Sequence, residues 1–101
     1  MWILVMFDLP VGSSSEQKAA TYFRNCLLDM GFEMAQFSVY LRFCSGKEQM
    51  ESYVRRIEAC LPSGGRVDIL GFTDKQYESI VSFTHGEREE AHKNPGQIAL
   101  F

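Results

Sequence analysis

Asp8 is the residue in this chain whose type and setting most directly suggest chemistry. It sits in the run Met1-Trp-Ile-Leu-Val-Met-Phe-Asp-Leu-Pro10, where seven apolar residues lead to one carboxylate and then to a proline. A carboxylate oxygen suits a hard cation such as Mg²⁺, and a metal-bound water can attack a phosphodiester. One carboxylate is too few for a complete site, but a two-fold dimer meeting near this strand end would supply a second. The plainer account makes Asp8 a cap for the following loop or helix, and residue types alone favour it.

Other groups invite the same weighing. Arg55 and Arg56, with Arg42, Lys47 and Arg66, suggest a phosphate-contacting strip, although helix surfaces carry such charges routinely as a solvated face. The loop Val11-Gly12-Ser13-Ser14-Ser15 opens a helix whose first-turn N–H groups suit an anion, yet a plain N-cap explains it without a ligand. The sequence contains no phosphate-cradling GxxxxGK[ST], no Ser/His/Asp motif and no zinc-type spacing. His85 and His92 fall in a polar stretch and read as solvated. Cys26, Cys44 and Cys60 are odd in number, far apart and without a Cys-x-x-Cys pair. They read as small buried hydrophobes in a reducing compartment.

The elements that must position these residues follow from pattern. The opening run is short and continuously apolar, which predicts a central strand buried on both faces. Ile3, Val5 and Phe7 take one face, and Trp2, Leu4, Met6 and Asp8 the other. Pairing should stop by Pro10, which has no N–H to donate. Ser13 with Glu16, and Ser14 with Gln17, have capping-box spacing ahead of a helix whose apolar stripe is Ala19, Ala20, Phe23, Cys26, Leu27 and Met30. Gly31 is its stop. Phe32 to Phe43 is extended, and periodicity leaves open whether it is one strand or two joined by a tight turn. One strand gives a parallel β-α-β-α-β unit; two give the split β-α-β-β-α-β arrangement.

Ser45 with Glu48 repeats the capping spacing and opens a second helix, inward-facing at Met50, Tyr53, Val54, Ile57, Cys60 and Leu61 and ended by Pro62. Arg66 to Phe72 reads as a strand, Thr73 with Gln76 as a capped turn, and Ser79 to Thr84 as a short strand. Residues 85–96 read as a polar linker, and Gln97 to Phe101 as an apolar docking strand. The domain reading is therefore residues 1–84 as one α+β domain and 85–101 as linker and docking strand. A chain of 101 residues makes one domain with a modest core and leaves room for an obligate dimer. A formal charge of −3 argues against strong, self-sufficient nucleic-acid binding, but not against a local basic patch or a basic partner. The opening run has no basic leader region and is too short for a bilayer, so the expected setting is cytoplasmic, without a membrane.

Val-Met-Phe-Asp-Leu-Pro (5–10), Phe-Arg-Asn-Cys-Leu-Leu-Asp-Met-Gly-Phe (23–32), Gln-Phe-Ser-Val-Tyr (36–40) and Thr-Asp-Lys-Gln-Tyr (73–77), in this order along the chain, resemble the second CRISPR-associated protein family. That family is the small ferredoxin-like subunit of the spacer-acquisition machinery, and the likeness is strongest to members from single-effector systems. The resemblance implies a hairpin turning near Phe37-Ser38 and hence the split β-α-β-β-α-β fold. It implies a homodimer joined through sheet faces, with the C-terminal residues Ile98, Ala99, Leu100 and Phe101 docking to complete the assembly. It implies a scaffold bridging dimers of the integrase subunit, with double-stranded prespacer DNA lying across the whole. It also places on Asp8 the family's metal-binding aspartate, linked to magnesium-dependent cleavage of RNA or DNA in some members. Some nuclease-active members carry arginines early in the first helix and just before the Gln-x-Ser-Val segment. Here Gln17 to Ala19, with only Lys18 basic, and Met34 stand in those places, which favours the scaffold. The alternatives are a stand-alone metal-dependent endoribonuclease, and a toxin-like ribonuclease or small-ligand regulatory dimer on the same fold.

Overall fold

A computed structural model describes residues 1–95; the docking residues Ile98, Ala99, Leu100 and Phe101 lie outside the described residues. Strand β1 spans Trp2–Asp8 and is the centre of a four-stranded sheet. Helix α1 spans Ser14–Asp29, strand β2 Glu33–Gln36, strand β3 Val39–Phe43, helix α2 Lys47–Glu58 and strand β4 Arg66–Phe72. The sheet order is β2-β3-β1-β4 and every pairing in it is antiparallel. This is the split β-α-β-β-α-β topology of ferredoxin-like α+β proteins. The open choice over residues 32–43 resolves as two strands with a turn at Phe37-Ser38, where Ser38 takes φ of +60°.

Alternation along β1 holds, but its two faces differ. Ile3 and Val5 are fully buried in a core with Phe23 and Leu27 of α1 and Tyr53 and Ile57 of α2, and Phe7 meets Phe23 edge-on at 5.1 Å. Burying each such side chain contributes roughly 1.5–3 kcal/mol. The expectation that β1 is buried on both faces is corrected here. Two right-handed crossovers, β1 to β2 and β3 to β4, put both helices on one side. On the other side Met6 stays 43% and Leu70 52% exposed, with Leu4, Val39 and Leu41 half-buried beside them.

Local signals set the boundaries. Ser13 Oγ accepts from Glu16 N–H while Glu16 Oε1 accepts from Ser13 N–H, so of the two candidate capping boxes Ser13–Glu16 forms. At its far end Gly31, at φ +86°, donates to Leu28 O, and Phe32 N–H reaches Leu27 O, the paired bonds of a Schellman stop. The Ser45–Glu48 box does not form. Gly46 is the N-cap of α2, with no side-chain cap bond, and Ser45 N–H donates instead to Gln49 Oε1. α2 also ends before Pro62, with its C-cap at Ala59.

After β4, Thr73 caps the short helix α3, Asp74–Glu78, through a box with Gln76. Of the strand expected over Ser79–Thr84 only β5, Phe83–Thr84, is extended; it pairs with β6, Glu87–Arg88. His85 and Gly86 between them both have positive φ, as a two-residue type I′ turn requires. Further on, Asn94 is buried: its Oδ1 accepts from Trp2 Nε1 at 2.7 Å, and its Nδ2 donates to Glu78 Oε1 and Asp74 O. Trp2 also stacks on Tyr77 at 3.8 Å. The polar stretch thus straps the chain back onto the start of β1.

Candidate active site and nucleic-acid interface

Asp8 is exposed at the last position of β1. It lies directly opposite Arg66 on β4, and Met6 opposite Asp68, so the four side chains share the uncovered face. Directly opposed residues have Cβ atoms about 5 Å apart. Arg66 nevertheless gives its Nε hydrogen bond to Asp68 Oδ2, at 2.9 Å. That bond, and then the carboxylate's charge, raises the Arg66 pKa further. Met6, Phe7, Asp8, Arg66 and Asp68 line a shallow hollow of about 220 Å³.

The donor chemistry at this point suits a hard cation, but the number of donors is short. Among the described residues no group of three or more His, Cys, Asp or Glu side chains gathers as a metal cluster. One chain offers Asp8, which has no ion-pair partner among the described residues, and Asp68, which is engaged by Arg66. The residues fit Mg²⁺ as half of a centre rather than as a whole one.

The five basic residues weighed as a phosphate strip divide between the two sides of the sheet. Arg42 is opposite Ile3 on the helix-covered side, and its guanidinium lies 4.9 Å from the Tyr53 ring centroid. Arg56 approaches the same ring at 5.4 Å. Arg42 Nε is buried with no hydrogen-bond partner among the described residues, and its Nη1 lies 2.7 Å from where a Cβ on Gly31 would stand. Lys47 opens α2 and Arg55 lies in its last turn, both exposed. Arg66 lies apart from these four, beside Asp8. The structure therefore brings together Arg42 with Arg56, and Arg66 with Asp8.

Two features escaped the sequence reading. Phe37 at the β2–β3 turn is 88% exposed, next to Ser38, whose carbonyl accepts from Phe7 N–H near the end of β1. A trough of about 820 Å³ runs between the uncovered sheet face and the β5–β6 hairpin, with Trp2, Leu4, Leu41, Tyr77, Phe83 and His92 among its walls. His92 is half-buried there, its Nε2 within 2.9 Å of Ser82 Oγ, rather than simply solvated. The residue pair His85-Gly86 was the available signal for the β5–β6 hairpin, since histidine and glycine both tolerate positive φ better than most residues.

A ferredoxin-like sheet with both helices on one face and an exposed acid at the end of an inner strand defines a small α+β protein of the ferredoxin-like class. The family model described as CRISPR associated protein Cas2 matches residues 1–80. Relatives named CRISPR-associated endoribonuclease Cas2 match the full chain. One from Paracidovorax avenae is 56% identical, covering 100% of this chain and 94% of its own. One from Flavobacterium psychrophilum is 43% identical over 100% and 88%. One from Parvibaculum lavamentivorans is 40% identical over 100% of both. The chain belongs to the Cas2 family of CRISPR-associated proteins. No helix among the described residues is long and apolar enough to cross a membrane.

Proposed function

We propose that this protein is a homodimeric subunit of CRISPR spacer acquisition that bridges dimers of the integrase subunit and contacts prespacer DNA backbone. The observation that carries the reading is the sheet face left uncovered beside Asp8. Met6 on β1 and Leu70 on the neighbouring edge strand β4 are exposed on it, and a second copy of the same face is the natural cover. Face-to-face packing of two such sheets would set Asp8 of one chain near Asp8 of the other and turn two half-sets of donors into one. The two Asp8 carboxylates would hold Mg²⁺, which when bound supplies water activation and charge neutralisation at a phosphodiester. Arg66 keeps its remaining guanidinium N–H groups for phosphate while Asp68 holds it in place. Arg55 and Lys47, exposed on α2, offer non-specific backbone contacts on the outer side.

A second reading, a metal-dependent endoribonuclease acting on its own, is favoured by the exposure of Asp8 and by the names of the relatives. Asp8→Asn separates the two. Spacer acquisition that persists while Mg²⁺-dependent cleavage is lost supports a scaffold with a dispensable site. Loss of both from a folded dimer makes cleavage part of the role. Co-purification with the integrase subunit and prespacer DNA tests the partners, and failure of all three to associate would count against the bridge. Deleting residues 98–101 is expected to weaken that association.

A further inference from the structure

The register of β1 with β3 pairs Trp2 with Phe43 and runs without a break to Met6 with Val39. It goes one place further in the hydrogen bond from Phe7 N–H to Ser38 O at 3.0 Å. Phe37 comes next, in the two-residue turn that leads back to β2, at the same end of the sheet as Asp8. Across from Asp8 on β4 stands Arg66. An aromatic ring in the β2–β3 turn, a carboxylate on β1 and a guanidinium on β4 therefore share one end of the sheet.

Phe37 is 88% exposed, the most exposed large apolar side chain among the described residues. A lone exposed aromatic is ordinary, but this one is held. The turn is pinned by the Phe7–Ser38 bond, and Ser38 accepts φ of +60°, a conformation that costs a non-glycine residue energy. An exposed ring on a fixed turn, at the same sheet end as a carboxylate and an arginine, has the parts that a single nucleic-acid strand uses: a face for one base and a cation for the adjoining phosphate. A paired base offers no free face at such a site.

We propose that Phe37 is a base-stacking platform for single-stranded nucleic acid, placing an unpaired nucleotide beside Asp8 with its phosphate toward Arg66. This rests on the reading of Asp8 as a nucleic-acid site, but it concerns binding and is measured apart from cleavage. The test uses the full-length Asp8→Asn chain, in which bound RNA stays intact, with a fluorescein-labelled single-stranded RNA of about 15 nucleotides and the same sequence as duplex. Stacking of one base corresponds to a loss of about 5- to 150-fold on truncation. Adding Phe37→Ala is expected to weaken single-strand binding within that range and to leave duplex binding and the native mass unchanged. Phe37→Trp is expected to restore binding. Its emission should be quenched by the RNA above a constant background from the single native tryptophan, the buried Trp2.

Equal loss on single strand and duplex, failure of Phe37→Trp to restore binding, or a fall in mass with Phe37→Ala would overturn the platform; the last would make Phe37 a subunit contact. Absence of any single-strand binding by the Asp8→Asn chain would overturn it too. If the unaltered protein fails to cleave RNA with Mg²⁺ while the Phe37 effects persist, the cleavage reading falls and the platform stands.

Discussion

Arg66 faces Asp8 across the β1–β4 ladder but gives its hydrogen bond to Asp68, two residues along its own strand, at 2.9 Å. The choice matters because a guanidinium bonded to Asp8 would compete with a cation for the same oxygens. Held by Asp68, it leaves the Asp8 carboxylate open and keeps a positive charge next to it.

Removing that charge should help a divalent cation. Arg66→Ala is expected to tighten Mg²⁺ binding by about tenfold at low salt, the effect on a divalent ion of deleting one exposed unit charge about 5–6 Å away in a watery setting. Asp68→Asn should do the reverse, since it releases Arg66 toward Asp8. Magnesium titrations of cleavage, or calorimetry, read both. Equal effects in the same direction would show that Arg66 and Asp68 do not act on Asp8 as described.

Gly31 and Arg42 give a stability prediction. Gly31 stands at φ +86°, and a Cβ there would meet Arg42 Nη1 at 2.7 Å. Gly31→Ala is expected to cost about 1–2 kcal/mol from the left-handed backbone alone, plus the displacement of Arg42 from its place over Tyr53. For a domain of this size each kcal/mol is about 4–8 °C in Tm. Arg42→Met in the same chain should recover the steric part and leave the backbone part. Full recovery would show that the backbone conformation is not the main cost.

Cys60 predicts a pH dependence. Burial pushes its thiol pKa up, and a hydrogen bond with the Cys26 side chain adds to the rise. The folded chain therefore holds this proton more tightly than the unfolded chain. The resulting stability is fully present below the thiol's unfolded value, near pH 8.5, and is lost as pH rises through the higher folded value. Tyr22, raised chiefly by its hydrogen bond with Cys26, acts in the same direction at higher pH. Tm should fall more steeply above pH 8.5 for the native chain than for Cys60→Ala. Alkylation of Cys60 at pH 8 should also be slower than that of a free peptide thiol, because the thiolate is the reacting species. Identical alkaline slopes for the two chains would contradict this.

Much of the architecture was legible because it is periodic. The alternation of Ile3, Val5 and Phe7, the stripe of Ala20, Phe23 and Leu27, and the Ser13–Glu16 box each carry their own local signal. The β2–β3 turn was not legible from pattern, since Phe37 and Ser38 are poor turn residues and only the family resemblance implied it. The bareness of one side of β1 was hidden for another reason. Trp2, Leu4 and Met6 look equally apolar whether a helix or a second subunit covers them. Asp8 stood out by type, whereas its cross-strand neighbour Arg66 comes from a strand far away in sequence and needed the register. The same is true of Asn94, whose bond to Trp2 spans 92 positions.

The central claim is that two copies meet through their uncovered sheet faces and so complete the site at Asp8. Light scattering on the native chain and on Leu70→Glu, with Mg²⁺-dependent RNA cleavage assayed on the same samples, tests it most directly. Leu70 is 52% exposed on that face, on the edge strand β4 beside Leu4, away from the helix-covered core. The native chain is expected at about twice its 11.5 kDa mass and active. Leu70→Glu is expected folded by circular dichroism, near 11.5 kDa, and at least about a hundredfold less active, since half a donor set remains. A native chain that cleaves RNA fully as a monomer, or a Leu70→Glu monomer with undiminished cleavage, would contradict the account.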